Sequence, residues 1–114
     1  MCDCLFCKIV RGEIPSRKLY EDEDLLAFYD IAPKAPVHFL VIPKKHIPSL
    51  MEMTVEDSGL LGRLVFKAQE LARGQGCAER GARFVFNCKE DGGQTVPHVH
   101  LHVLGGRTLD WPPG

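Results

Sequence analysis

The chain carries almost no excess charge, no long apolar run and no even set of cysteines, and each shortage removes a class of function. Fourteen Lys and Arg stand against fifteen Asp and Glu, a formal net charge of −1. A surface so balanced offers no broad field to a nucleic-acid backbone or an anionic bilayer. No segment reaches the roughly 20 apolar residues of a transmembrane helix. The opening MCDCLFCKIVRGE mixes charges into its apolar residues, unlike the hydrophobic centre of a secretory signal. The expectation is a cytoplasmic protein without nucleic-acid or membrane partners. Five cysteines cannot all pair with one another, and three of them crowd into the first seven residues. Without an export signal, that pattern favours metal binding or free thiols over a disulfide framework.

What remains is an ordinary globular composition, 45% hydrophobic and 25% charged over 114 residues, which is enough for one domain (1–114) with a modest core. LFCKIVRGEIP predicts a short helix stopped by Gly12 and Pro15. RKLYED and LLAFYD read as a hairpin around the acidic turn EDED, and VHFLVIP as a central strand ending at Pro43. From Thr54, a candidate N-cap with Glu56 and Asp57 behind it, a long helix runs to about Gln75. Its stripe of Leu60, Leu61, Leu64, Val65, Ala68 and Leu71 is core-forming. ARFVFNC and HVHLHVLGG complete the set as strands. The connections are mostly too short for parallel crossovers, so the fold class is α+β: a mainly antiparallel five-stranded sheet with one long and one short helix.

PHVHLHVLGG places His98, His100 and His102 on alternate positions. On a strand such residues share one face at about 6.5–7 Å spacing, while Val99, Leu101 and Val103 anchor the other face. Three uses compete: a solvated polar face, a three-histidine catalytic zinc site with an open position, or nucleophilic catalysis by one histidine. The preceding DGGQT supplies Gly92 and Gly93, whose N–H groups can approach a ligand closely, and the polar side chains of Gln94 and Thr95. That loop suits a phosphate at the head of the histidine strand.

GGQTVPHVHLHVLGGR, LAFYDIAPKAPVHFLVIPKKHI, FCKIVRGEIP and the terminal WPPG together resemble the histidine triad (HIT) superfamily, in particular the Hint branch of nucleoside phosphoramidases. The resemblance covers nearly the whole chain. It implies a HIT-like fold and hydrolysis of the P–N bond of purine nucleoside 5′-phosphoramidates through a nucleotidyl-histidine intermediate. The triad's middle histidine, the nucleophile, falls on His100. His102 would contact the phosphoryl oxygens and His38 would orient the cluster. Asn87 and Thr95 match polar positions at the phosphate or leaving group, where many relatives carry serine at the position of Thr95. Asp30 matches the carboxylate that accepts the ribose hydroxyls. Ile9, Phe28 and Leu40 match the apolar base slot, with Phe6 and Ile31 beside it. Gly93 and Gln94 complete the nucleotide-binding set. A dinucleoside polyphosphate hydrolase and a non-enzymatic nucleotide-binding scaffold are the alternatives.

No cofactor is expected for catalysis. Cys4 and Cys7 form a C-x-x-C pair able to offer two soft ligands to one metal. His46 and His98 would complete a closed structural zinc site, an arrangement that several bacterial members of the superfamily resemble. Cys2, Cys77 and Cys88 fit no metal spacing. A homodimer is expected through the apolar strand ARFVFNC, and the resemblance implies one sheet continued across both copies. In that arrangement the tail would lie near the partner's active site, with Trp111 as an apolar anchor.

Overall fold

Five short runs rich in β-branched and aromatic residues become five strands, and the computed structural model describes them within residues 2–114. In chain order the elements are α1 (Leu5–Val10), β1 (Lys18–Glu21), β2 (Leu25–Tyr29), β3 (Val37–Pro43), α2 (Ser58–Gly74), β4 (Ala82–Phe86) and β5 (Leu101–Gly105). The strands form one antiparallel sheet in the order β1-β2-β3-β5-β4. The hairpin between β1 and β2 is closed by Asp22, whose Oδ1 accepts the N–H groups of Asp24 and Leu25 at 2.8 Å each. No helix is long and apolar enough to cross a membrane among the described residues.

The dense apolar runs of β2 and β3 reflect burial on both faces. Leu25, Ala27, Phe39, Val41, Leu101 and Val103 point to one side, where Leu64, Ala68 and Ala72 of α2 cover them. Leu26, Phe28, Leu40 and Ile42 point to the other, under Phe6 and Ile9 of α1. His38, His100 and His102 alternate with the first set, so they lie on the α1 side.

Local chemistry sets the helix ends. The Cys4 thiol accepts the Cys7 N–H at 3.3 Å and caps α1, and Gly12 with φ +79° ends it. The predicted start of the long helix at Thr54 is a capping box in which Asp57 accepts the Thr54 N–H at 3.0 Å. The first turn, Val55–Asp57, winds as a tighter 3-10 turn, so the α-helix proper begins only at Ser58.

The last strand is shorter than its pattern predicts. Regular pairing starts at Leu101, and His98 and His100 precede it. Pro97 has no N–H to give a ladder, and the segment bonds elsewhere: His98 N–H to the Val96 carbonyl and Val99 N–H to the Ile47 carbonyl, both at 2.8 Å. ARFVFNC likewise pairs only as far as Phe86.

Candidate active site and thiol cluster

Cross-strand register brings the histidines together. Leu40 on β3 sits opposite His102 on β5, and His38 opposite Leu104. His38 and His102 are therefore diagonal neighbours on one face, with His38 Nε2 3.0 Å from His102 Nδ1. The Lys34 backbone N–H, which can only donate, lies 3.0 Å from His38 Nδ1. Nδ1 must then be the acceptor, and His38 donates from Nε2 to His102, with Asp30 Oδ2 also 3.3 Å away. A neutral His102 that accepts at Nδ1 carries its proton on Nε2.

His100 is held differently. Its Nδ1–H donates to the His98 carbonyl at 2.8 Å, so the lone pair of the neutral ring is on Nε2. The edge of Phe6 buttresses the ring at 5.0 Å, and the His102 ring follows at 4.9 Å. Burial is the first cause that lowers the pKa of His38, His98 and His100 below 6.5. It also pushes His102 down to about 4, with His100 and His38 adding to the effect. These imidazoles are neutral at pH 7. The three rings of the stripe do not converge on one point, which disfavours the three-histidine zinc reading: His98 turns its Nδ1 toward the cysteines instead.

Ile9, Phe28 and Leu40, expected to line a base slot, are buried together with Phe6. Ile31 stands apart at 96% exposure, on the rim after β2. Asp30 Oδ1 accepts the Ala32 N–H at 2.8 Å, a turn contact that presents Oδ2 to His38. Asn87 follows directly on the Phe86–Leu101 pair at the head of β5, and Thr95 is exposed on the neighbouring loop. Neither side chain hydrogen-bonds to protein among the described residues.

The glycine loop departs from expectation. The Gly93 N–H bonds to the Glu90 carbonyl and the Gln94 N–H to the Lys89 carbonyl, each at 3.0 Å. Gln94 accepts the Lys89 N–H (2.8 Å) and donates to the carbonyls of Pro48 (2.6 Å) and Val96 (2.9 Å). Gly93 and Gln94 are thus occupied in shaping the loop rather than open to a phosphate. Gly92 is required by packing, since a Cβ there would lie 2.6 Å from the Cys88 carbonyl oxygen.

Beside the triad is the second group. Cys4 Sγ lies 3.6 Å from His46 Nδ1 and 3.3 Å from His98 Nδ1; Cys7 Sγ lies 3.4 and 3.7 Å from the same atoms; the two imidazole nitrogens are 3.2 Å apart. A tetrahedral zinc with Zn–S of about 2.3 Å and Zn–N of about 2.05 Å has S···N edges of roughly 3.6 Å and N···N edges of roughly 3.3 Å. The four donors fit that figure. His98 donates its Nε2–H to the Pro43 carbonyl at 2.8 Å, which leaves Nδ1 as the ligating nitrogen. Burial pushes the Cys7 thiol up to about 12, so a bound cation would have to displace its proton.

Cys2, expected to fit no metal spacing, joins the group after all: its Sγ is 3.0 Å from His46 Nδ1, and Cys2, Cys4, Cys7 and His46 form a cluster that could hold a metal. The C-x-C spacing beside C-x-x-C was its signal. Cys77 and Cys88 lie elsewhere as free thiols. A cavity of about 680 Å³ lined by Cys77, Arg80, Arg83 and Arg107 opens by the C-terminal end of α2, away from the histidines.

Residues 11–109 match the HIT domain family. An uncharacterized HIT-like protein of Synechococcus elongatus is 53% identical over 112 residues, which cover 98% of this chain and 97% of that protein. A HIT family hydrolase from Legionella pneumophila superposes with a TM-score of 0.97 at 52% identity, covering 98% of this chain and all of that one. A histidine triad protein from Clostridium difficile gives 0.92 at 44% identity over 96% of both chains. With this agreement of sequence and fold along nearly its whole length, the chain belongs to the HIT family.

Proposed function

We propose that this protein is a hydrolase that cleaves the P–N bond of purine nucleoside 5′-phosphoramidates. The observation that carries the reading is the tethering of His100: its Nδ1–H is committed to the His98 carbonyl, and the Nε2 lone pair is left to act. Burial keeps the ring neutral. Nε2 attacks phosphorus, the P–N bond breaks, and the amine departs with a proton taken up from solvent, leaving a nucleotidyl-histidine. Water then attacks phosphorus, the P–Nε2 bond breaks, and the nucleoside monophosphate leaves while the water's proton returns to solvent. His102, with its proton on Nε2, supplies a donor to a phosphoryl oxygen, and the relay from Lys34 through His38 keeps that proton in place. Thr95 and Asn87 offer uncommitted polar groups at the mouth.

Asp30 retains acceptor capacity for ribose hydroxyls beyond its contacts to Ala32 and His38. The base would lie against Ile9, Phe28 and Leu40, with Ile31 over it. Cys4, Cys7, His46 and His98 would hold a structural zinc, which supplies no chemistry to the reaction and clamps the segment ahead of β5. A homodimer is supported by the sheet edges. The outer strand β1 carries Lys18, Glu21 and a register irregularity that discourage pairing. At the opposite edge β4 pairs regularly with β5 and shows Phe84 43% exposed. Arg83 on β4 donates to the carbonyls of Leu109 (3.2 Å) and Asp110 (2.7 Å), which places the tail with its 80% exposed Trp111 along that edge.

Turnover of adenosine 5′-phosphoramidate and of diadenosine polyphosphates, measured side by side, tests the reading. The phosphoramidate is expected to be the better substrate by kcat/KM. A preference for the polyphosphates overturns it.

A further inference from the structure

The thiol cluster offers five donors where a closed tetrahedral site takes four. Cys4, Cys7 and His46 are common to two sets. His98 completes one, with the edges described above; Cys2 completes the other, its Sγ lying with those three donors within 4.8 Å. We propose that Cys2 is a third thiolate ligand of the metal and exchanges with His98 at the fourth position. The proposal rests on the reading of this cluster as a metal site.

Three features of Cys2 fit a built ligand rather than a stray thiol. Its Sγ stands 3.0 Å from His46 Nδ1. It accepts the Cys4 N–H at 3.3 Å, the same contact that Cys4 Sγ receives from the Cys7 N–H, and such donors favour the thiolate. Its carbonyl is held by the Arg11 guanidinium, itself braced by Glu13 at 2.6 Å and Asp3 at 3.5 Å. Three thiolates and one imidazole make a closed structural zinc set as well as two and two do. The third thiolate adds one negative charge, and Arg11 is the cation at hand. Exchange matters to the neighbouring site because His98 serves both. When Cys2 takes the fourth position, the His98 ring loses the metal while keeping its bond to Pro43, and the residue whose carbonyl tethers His100 is held less firmly.

The test uses the full chain purified without chelator, with zinc content, cobalt(II)-substituted spectra and zinc release to a competing chelator as readouts. The variants are Cys2→Ser, His98→Asn and the double change. Wild type and His98→Asn are each expected to hold one metal, and His98→Asn to show the charge-transfer intensity of three sulfurs. The double variant should lose the metal. Cys2→Ser alone should release zinc about tenfold faster than wild type. Because Cys2 lies outside the core, that measurement stands even if His98→Asn fails to fold. Zinc release from Cys2→Ser at the wild-type rate, or a His98→Asn protein with a two-sulfur spectrum, overturns the exchange while leaving the metal site intact. Wild type without bound metal overturns the metal reading and this inference with it.

Discussion

His100 and His102 are the same side chain two residues apart, and their surroundings hold them as different tautomers. The His98 carbonyl accepts a hydrogen bond from Nδ1–H of one; His38 donates a hydrogen bond from Nε2–H to Nδ1 of the other. His100→Ala is therefore expected to lower kcat by on the order of 10³-fold or more, as loss of a nucleophile does. Nucleotide affinity by calorimetry should change only several-fold, because the proposed base and ribose contacts lie elsewhere. A variant that keeps near-normal turnover refutes the mechanism. The same burial has a consequence for pH. His102 has an ordinary value of 6.5 and a folded value of about 4, so on acidification the unfolded chain takes up the proton first. Its contribution to stability is complete above 6.5 and is lost as the pH falls from there toward 4. Urea unfolding at pH 7 and pH 5 should show a lower midpoint at pH 5; equal midpoints would contradict the neutral, buried cluster.

At the scale of elements, the loop between β4 and β5 is where packing and chemistry meet. Gly92 lies so close to the Cys88 backbone that an added Cβ would sit 2.6 Å from its oxygen and 2.7 Å from its nitrogen. Backbone cannot yield as a side chain can. Gly92→Ala is expected to cost about 1–3 kcal/mol and to displace Thr95 and Asn87, slowing turnover. Gly62→Ala in α2 is the control: nothing lies within 4 Å of the added methyl, and helix propensity alone predicts stabilisation of up to about 1 kcal/mol. Thermal unfolding of the two variants should move in opposite directions. If Gly92→Ala melts with wild type, the loop is not held as described.

For the whole molecule, assembly turns on β4. An edge strand with an exposed phenylalanine is a template for its own copy. Light scattering at micromolar concentration should give about twice the 12.7 kDa chain mass, and Phe84→Lys should give the single-chain mass. A wild-type protein at 12.7 kDa refutes the dimer. If the tail serves the partner's site, truncation after Gly106 should alter leaving-group preference more than adenosine binding.

The sequence by itself determined what depends on short-range pattern. Alternation at 101–103 assigned His102 to one face and Leu101 and Val103 to the core under α2, whereas His98 and His100 precede the regular strand. The runs LLAFY and VHFLVIP are strands, and the leucine stripe after Thr54 is a helix, because residue spacing dictates which side chains share a face. C-x-x-C named two thiols. Only the tertiary structure decided what depends on convergence across the chain. Cys4 and His98 are 94 residues apart and meet because α1 packs over β2 and β3 beside the segment that leads into β5. The tautomers of His38 and His102 follow from one backbone amide at Lys34. Gln94 is used by its own loop because Pro48 and Val96 present carbonyls there. Cys2, which its C-x-C spacing only sets beside Cys4, reaches His46 with its backbone held by Arg11. Faces are written into local periodicity; hydrogen-bond partners and ligand sets are settled by register and loop path, which bring together residues whose spacing in the chain carries no trace of the meeting.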